Sequence, residues 1–169
     1  MSKTVKAVII ELRPSKILPK EIGLFATRKL SKDYIIASAD KFEERFVSWS
    51  QWKSIDKITK KKIEDFCMLT EKGFYVPPDL NYLSVPWNMN HSCDYNVGFD
   101  SKGNFVTTRT VKSGEELAWD YGMGVSYSKY NLICKCKSKN CRKVITGNDW
   151  KDKEFVKKNR KYFLRDLLS

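Results

Sequence analysis

Three clusters of residues carry side chains able to do chemistry. The first is Cys134-Lys135-Cys136-x4-Cys141, three thiols set among basic neighbours. Nearby Lys and Arg lower a thiol's pKa and favour the thiolate, the form that binds metal. In an intracellular chain such a cluster reads as a zinc site and not as disulfides. A closed tetrahedral site needs a fourth ligand, and Cys67, His91 and Cys93 are the candidates. Cys67 lies beside Phe66 on the apolar side of an expected helix, where a buried, inert thiol is the common outcome. Cys93 follows a break and precedes a hairpin, so it can present its sulfur.

The second cluster is Asn90-His91-Ser92-Cys93-Asp94-Tyr95-Asn96, flanked by Trp87 and Met89, and it holds the chain's one histidine. Such a run of Asn, Ser and Asp also suits local turns. His91 and Cys93 could form a nucleophile pair, but no third group is evident to orient them. The third cluster, Gly114-Glu115-Glu116-Leu117-Ala118-Trp119-Asp120-Tyr121-Gly122, reads as a turn followed by a strand. Leu117 and Trp119 point inward, and Asp120-Tyr121 close the strand before Gly122.

The elements that must position these clusters are short. Val5–Leu12 is apolar and β-branched, a strand closed by Arg13-Pro14. Gly23–Thr27 and Tyr34–Ala37 are two more strands. Phe42, Phe46 and Trp49 step by four and three as on a helix face, and Ile55, Ile58, Ile63, Phe66 and Leu69 predict a second helix capped by Ser54. Pro77-Pro78-Asp79 breaks the pattern. Asn96–Asp100 and Asn104–Thr110 alternate around Ser101-Lys102-Gly103, a hairpin signal. Glu116–Trp119 is a further strand. Phe155, Tyr162, Phe163 and Leu167 predict a closing amphipathic helix. The class is α+β or mostly β.

The chain has 169 residues, enough for one domain with its own core, and 41% of them are apolar. It contains no apolar run long enough for a membrane span, and Met1–Lys6 has no secretory pattern. A soluble intracellular protein is expected, cytoplasmic or nuclear, with no membrane partner. The net charge of +12 favours acidic partners such as phosphate backbones. The excess is concentrated from Cys134 to Ser169, where twelve Lys and Arg face four acids, with a second basic knot at Lys57 and Lys60–Lys62. A solvated surface is the plain alternative reading of both.

Asn90-His91-Ser92-Cys93-x2-Asn96 resembles the Asn-His-Ser-Cys-x-Pro-Asn signature of SET-domain protein lysine methyltransferases. Glu116-Leu117-x2-Asp120-Tyr121 resembles that family's Glu-Leu-x-x-Asp-Tyr motif, and Cys134-x-Cys136-x4-Cys141 is similar to its post-SET zinc motif. Glu21-Ile22-Gly23-Leu24 stands where the family has Gly-x-Gly-Leu. The four motifs occur in the family's order and together span residues 21 to 141. Glu21 departs from the first glycine, Trp87-Asn88 from the usual Arg-Phe and Tyr95 from the usual Pro. No Cys-rich segment precedes residue 21, as in compact stand-alone members of bacteria, viruses and small eukaryotic proteins.

The resemblance implies a SET fold of short sheets with a knot-like crossing. Residues 1–125 would form the SET domain with a helical insert at about 41–72, residues 126–146 a zinc-bound post-SET segment, and residues 147–169 a basic C-terminal helix. It implies S-adenosylmethionine held by Ile22, Gly23, Leu24, Asn90, His91 and Tyr121, with Tyr121 catalytic. It selects Cys93 as the fourth zinc ligand beside Cys134, Cys136 and Cys141. The implied activity is S-adenosylmethionine-dependent protein lysine N-methylation, on histone or another basic protein. The basic C-terminal segment would meet nucleosomal DNA or another polyanion, and the compartment would be a host nucleus if the chain were an exported bacterial protein. The alternative is an inactive SET-fold zinc module that binds nucleic acid or protein.

Overall fold

The computed structural model describes residues 7–41 and 43–168. Val5, at the expected start of the first strand, and Phe42, the first residue of the expected helix face, lie outside the described residues. So do the rest of Met1–Lys6 and Ser169.

Strand β1 is Ile10–Pro14 and β2 is Ile22–Ala26. The first strand therefore runs through Arg13-Pro14, which had marked its expected end. Among the described residues β1 lies at the sheet edge and pairs only with β2, where a proline's missing N–H leaves no ladder bond unmade. β3 is Ile35–Ala37.

The region expected to be helical is mixed. β4, Arg45–Ser48, places Phe46 in a strand, and Trp49 opens a 3-10 turn over Trp49–Ser54. Helix α1 is Lys57–Phe66, and its cap is Asp56, whose carboxylate accepts from the Ile58 and Thr59 amides. Ser54 is not the cap, because its hydroxyl bonds back to Gln51 O at 2.7 Å. Of the apolar set assigned to this helix, Ile63 is buried but Ile58 is 82% exposed. Leu69 has already entered β5, Met68–Leu69, which pairs with β6, Gly73–Val76. β6 also pairs with β4, setting Phe46 opposite Tyr75 with ring centroids 5.4 Å apart. That non-local partner overrides a spacing which locally resembles a helix.

β7 is Asn90–His91, β8 Val97–Phe99, β9 Phe105–Thr107 and β10 Glu116–Trp119. The β8–β9 hairpin forms where expected. Asp100 Oδ1 accepts from the amides of Lys102 and Asn104, and Gly103 takes φ +80° in its turn, a conformation that costs glycine nothing. β11, Asn131–Ile133, and β12, Val144–Thr146, make a separate two-stranded sheet. Helix α2, Lys153–Asn159, is followed by two 3-10 turns at Arg160–Tyr162 and Arg165–Leu167. The tail is thus one short helix and turns, not a continuous helix. Phe155 and Phe163 still meet, with centroids 5.5 Å apart. Among the described residues no helix is long and apolar enough to cross a membrane.

β10 is the hub of the main sheet. Its first half pairs antiparallel with β2, and its second half pairs in parallel with β7. Trp119 faces His91 of β7 on one edge and Val97 of β8 on the other, so residues 92–96 carry the chain from one edge of β10 to the other. Asn96, at the end of that crossing, is buried. Its side chain accepts from Ala118 N at 3.0 Å and donates to Glu116 O at 2.8 Å, standing in for a strand's own backbone.

Two apolar cores meet near the end of β10. Leu24, Leu30, Met89, Val97 and Leu117 belong to one, with Trp119 packed against it. Ile63, Cys67, Leu69, Phe74 and Val125 form the other, with Tyr121 packed against it. Asn96→Ala removes both backbone bonds and leaves buried groups unpaired, so it is expected to lower unfolding free energy by about 2–4 kcal/mol. Urea denaturation checks this, and a loss below about 1 kcal/mol refutes the load assigned to Asn96.

Candidate functional site

The crossing loop brings Cys93 to the connection between β11 and β12, which carries the other three cysteines. Sγ atoms of Cys93, Cys134, Cys136 and Cys141 all lie within 4.8 Å of one another, with Cys93 and Cys134 3.9 Å apart. Four sulfurs about 2.3 Å from one zinc ion in a tetrahedron stand about 3.8 Å apart. The donor set therefore fits zinc. Donors are aimed at the sulfurs as well. Arg142 N–H points at Cys93 Sγ (3.4 Å), Cys136 N–H at Cys134 Sγ (3.5 Å) and Lys143 N–H at Cys141 Sγ (3.4 Å). Lys137 and Lys143 adopt φ of 56° and 67°, left-handed values that cost a lysine about 1–2 kcal/mol each and that the loop must offset.

Burial pushes the Cys93 thiol up to about 11 and raises Cys134 too. Cys136 moves the other way, down to about 6, because hydrogen bonds led by those from Ser138 outweigh its burial. A divalent cation held here would compensate all four sulfurs as thiolates at once. Cys67 has no part in the cluster. It packs in the second core, where burial, with Glu44 adding to it, pushes its thiol up to about 12.

The expected cofactor residues also come together. Asn90 Nδ2 donates to Ile22 O (2.9 Å) and to Glu116 Oε1 (3.2 Å), so both amide hydrogens are engaged within the protein. Glu116 is buried, and its carboxylate also accepts from Ser15 Oγ (2.7 Å) and Lys16 N (2.7 Å). A Cβ on Gly23 would fall on that carboxylate. Glu116 and Ser15 thus shape the loop that precedes Ile22. Leu24 is in the core, while Ile22 is 54% exposed. S-adenosylmethionine at this place would meet backbone groups, the exposed Ile22 and the carbonyl end of the Asn90 side chain, since the Asn90 amide hydrogens and the Glu116 carboxylate are already partnered.

The His91 side chain is fully engaged. Its Nδ1 accepts from Tyr121 N–H at 3.2 Å, which places the ring proton on Nε2, 3.5 Å from Cys93 Sγ. Burial holds its pKa down, to about 4, so the ring is neutral at pH 7 and the nearby Asp120 is not an ion-pair partner. His91 and Cys93 are in contact, with the neutral ring's Nε2–H directed at the sulfur, so the ring is placed as a donor to Cys93 and not as its base.

Tyr121 Oη donates to Met89 O at 2.9 Å, and burial raises the phenol's pKa so that it keeps its proton. Its ring packs between His91 and Trp119, at centroid distances of 5.2 and 4.8 Å. Tyr121 borders a cleft of about 910 Å³, together with Trp87, Met89, Phe105, Trp119 and Tyr130. Of the residues expected to bind cofactor, Tyr121 alone lines it. Glu44, Glu64, Asp65, Glu71 and Asp166 also line the cleft, against Lys72, Lys102 and Arg165. Acids therefore outnumber bases there, the reverse of the whole chain.

Sequence reasoning missed two residues at this site. Asp120 is completely buried, and Arg142 grips it with a bidentate fork. Asp120 was legible only as part of a motif, and Arg142 only as one of many basic residues in the tail.

The family model described as SET domain matches residues 21–122. A segment of the chain is 38% identical over 68 residues to histone-lysine N-methyltransferase SETD2 of Mus musculus and of Homo sapiens, covering 36% of this chain and 3% of each relative. Another is 34% identical over 65 residues to the probable histone-lysine N-methyltransferase set-23 of Caenorhabditis briggsae, covering 34% of this chain and 27% of that protein. Histone-lysine N-methyltransferase SUV39H2 of Gallus gallus is 31% identical over 86 residues, covering 36% of this chain and 21% of that protein. The similarity spans under a third of each of these relatives.

Purified protein is expected to carry about one zinc ion per chain. Cys93→Ser should lose it to a chelator far faster than the parent, whereas Cys67→Ser should match the parent. Metal analysis after dialysis against chelator checks this, and equal retention in the Cys93 variant removes that residue from the site.

Proposed function

We propose that this chain, which belongs to the SET-domain family, is an S-adenosylmethionine-dependent protein lysine N-methyltransferase with a histone or another basic protein as substrate. The observation that carries the reading is the place of Tyr121. The strand paired with Asn90-His91 stops at Trp119, short of the expected Asp120-Tyr121 end, and Tyr121 opens the 3-10 turn Tyr121–Met123 beside an aromatic cleft whose acids exceed its bases. The names of the relatives, all histone-lysine N-methyltransferases, support it.

When bound, S-adenosylmethionine supplies a methyl group on a positively charged sulfonium. The protein's task is to bring a neutral lysine amine to it. A free lysine with pKa about 10.4 is protonated at pH 7, and losing that proton costs about 4–5 kcal/mol. The walls formed by Trp119, Tyr121, Met89 and Phe105 disfavour a charged ammonium by excluding water, which lowers that cost. Tyr121 commits its proton to Met89 O, leaving the phenol oxygen as an acceptor able to orient the amine's N–H bonds. Its contribution is mainly proximity and direction. Zinc would be held by Cys93, Cys134, Cys136 and Cys141 and would tie the post-SET segment to the crossing loop.

The lining acids answer the repulsion that +12 would exert on a basic peptide. Asp65 is already paired with Lys61, and Glu71 accepts from Ser128 N and Oγ. Of the other lining acids, Glu44 and Glu64, on the strand-and-helix insert beside the cleft, are assigned to basic side chains of the substrate. Exposed Lys157, Lys158, Arg160 and Lys161 on α2 and the turn after it support docking on nucleosomal DNA or another polyanion through phosphate contacts. Such binding is expected to weaken steeply between low and physiological salt in a filter-binding titration, and a flat salt response rejects it.

The deciding experiment incubates the chain with labelled S-adenosylmethionine and histones or a cell extract. Label is expected on lysine, and Tyr121→Phe should cut turnover about tenfold or more with the affinity for S-adenosylmethionine little changed. Undiminished turnover in that variant discards the role of Tyr121. DNA binding with neither cofactor binding nor labelling favours the inactive module instead.

A further inference from the structure

We infer that Arg142 is a positioning residue for Tyr121, acting through the carboxylate of Asp120. The inference rests on the methyltransferase reading only for its catalytic consequence. Arg142 Nη1 donates to Asp120 Oδ2 at 2.6 Å and Nη2 to Asp120 Oδ1 at 2.7 Å. Its Nε and Nη2 reach Asp149 Oδ2 at 3.2 and 3.1 Å, and its guanidinium lies 4.4 Å from the centroid of the Phe155 ring. The plane of the fork is thus held on three sides.

Asp120 passes that constraint to its neighbour. It immediately precedes Tyr121, and its Oδ1 also accepts from the N–H of Gly122, which immediately follows, at 3.0 Å. One carboxylate therefore fixes the backbone on both sides of Tyr121. The direction of the phenol toward Met89 O then follows from how Arg142 sets that carboxylate. The backbone N–H of Arg142 donates to Cys93 Sγ, so the same residue touches the cysteine cluster and sets the tyrosine. Only a planar fork does this. A lysine at position 142 keeps the charge but offers a point contact in place of two parallel bonds.

The test uses the full zinc-bearing chain with 3-fluorotyrosine incorporated, the Tyr121 fluorine line being assigned by its absence in Tyr121→Phe. In Arg142→Lys the Tyr121 line is expected to shift or broaden while the lines of Tyr34 and Tyr82 stay in place. Turnover should fall about tenfold with the KM for S-adenosylmethionine within about twofold. A residue that merely docks the tail would lower the melting temperature and leave the Tyr121 line unmoved. A folded Arg142→Lys with the parent's Tyr121 line and turnover overturns the inference. Should Arg142→Lys not fold, the double variant Arg142→Met with Asp120→Asn, which removes both charges together, takes its place with the same readouts. Failure of both to fold makes Arg142 a folding residue and also overturns the inference. If the parent transfers no methyl group at all, the methyltransferase reading fails, and the fluorine line alone decides the role of Arg142.

Discussion

A carboxylate with no exposed surface cannot stay charged alone, and Asp120 is such a group. The bidentate pair with Arg142 compensates it, and breaking a buried pair of this kind costs about 3–5 kcal/mol. Burial works against the charge on Arg142 too, but the hydrogen bonds and field of Asp120 keep its pKa above the ordinary arginine value. The pair ties the exit of β10 to the C-terminal segment. That segment also meets the rest of the chain at the cysteine cluster and through Tyr95–Asn159, Tyr162–Thr108 and Leu164–Met123 hydrogen bonds. Docking of the C-terminal segment, closure of the four-sulfur site and the exit of β10 toward Tyr121 therefore share one electrostatic constraint.

The polar motif residues act mainly on the protein itself. Asn96 repairs the ladder where the chain crosses β10. Asn90 joins Ile22 O to Glu116, and His91 joins Tyr121 N to Cys93 Sγ. Each buried polar group is satisfied, and among the described residues no buried side-chain nitrogen or oxygen lacks a partner. Such networks are rigid because every member is costly to leave unpaired. What they build is a fixed backbone surface on one side of Tyr121 and an aromatic cleft on the other.

Charge is partitioned in the same way. The chain carries +12, yet its cleft gathers five acids against three bases. Net charge governs long-range encounter, while a cleft with low-dielectric walls focuses the local field. A protein can thus attract a polyanion at its tail and a cationic segment at its cleft.

Much of the site was legible in the amino-acid sequence because metal ligation and motif chemistry depend on residue type and spacing. The three-thiol run and the Asn90-His91 pair could be read there, as could the Gly103 turn and the strand Glu116–Trp119, while Asp120-Tyr121 were read as the strand's end and instead cap and open the 3-10 turn after it. Phe46 misled because its partner, Tyr75, is distant in sequence, and a spacing of three or four cannot distinguish a helix from a strand followed by a turn. Ser54 and Asp56 are both good caps, and only the path of the backbone chooses between them. Nothing in the sequence singled out Arg142 among the basic residues of the tail, since its role depends on Asp120 being sealed from water. Residue chemistry thus named the groups able to act. The tertiary structure alone decided which were buried and which faced one another, because burial sets the cost of an unpaired charge and folding determines which partner can answer it.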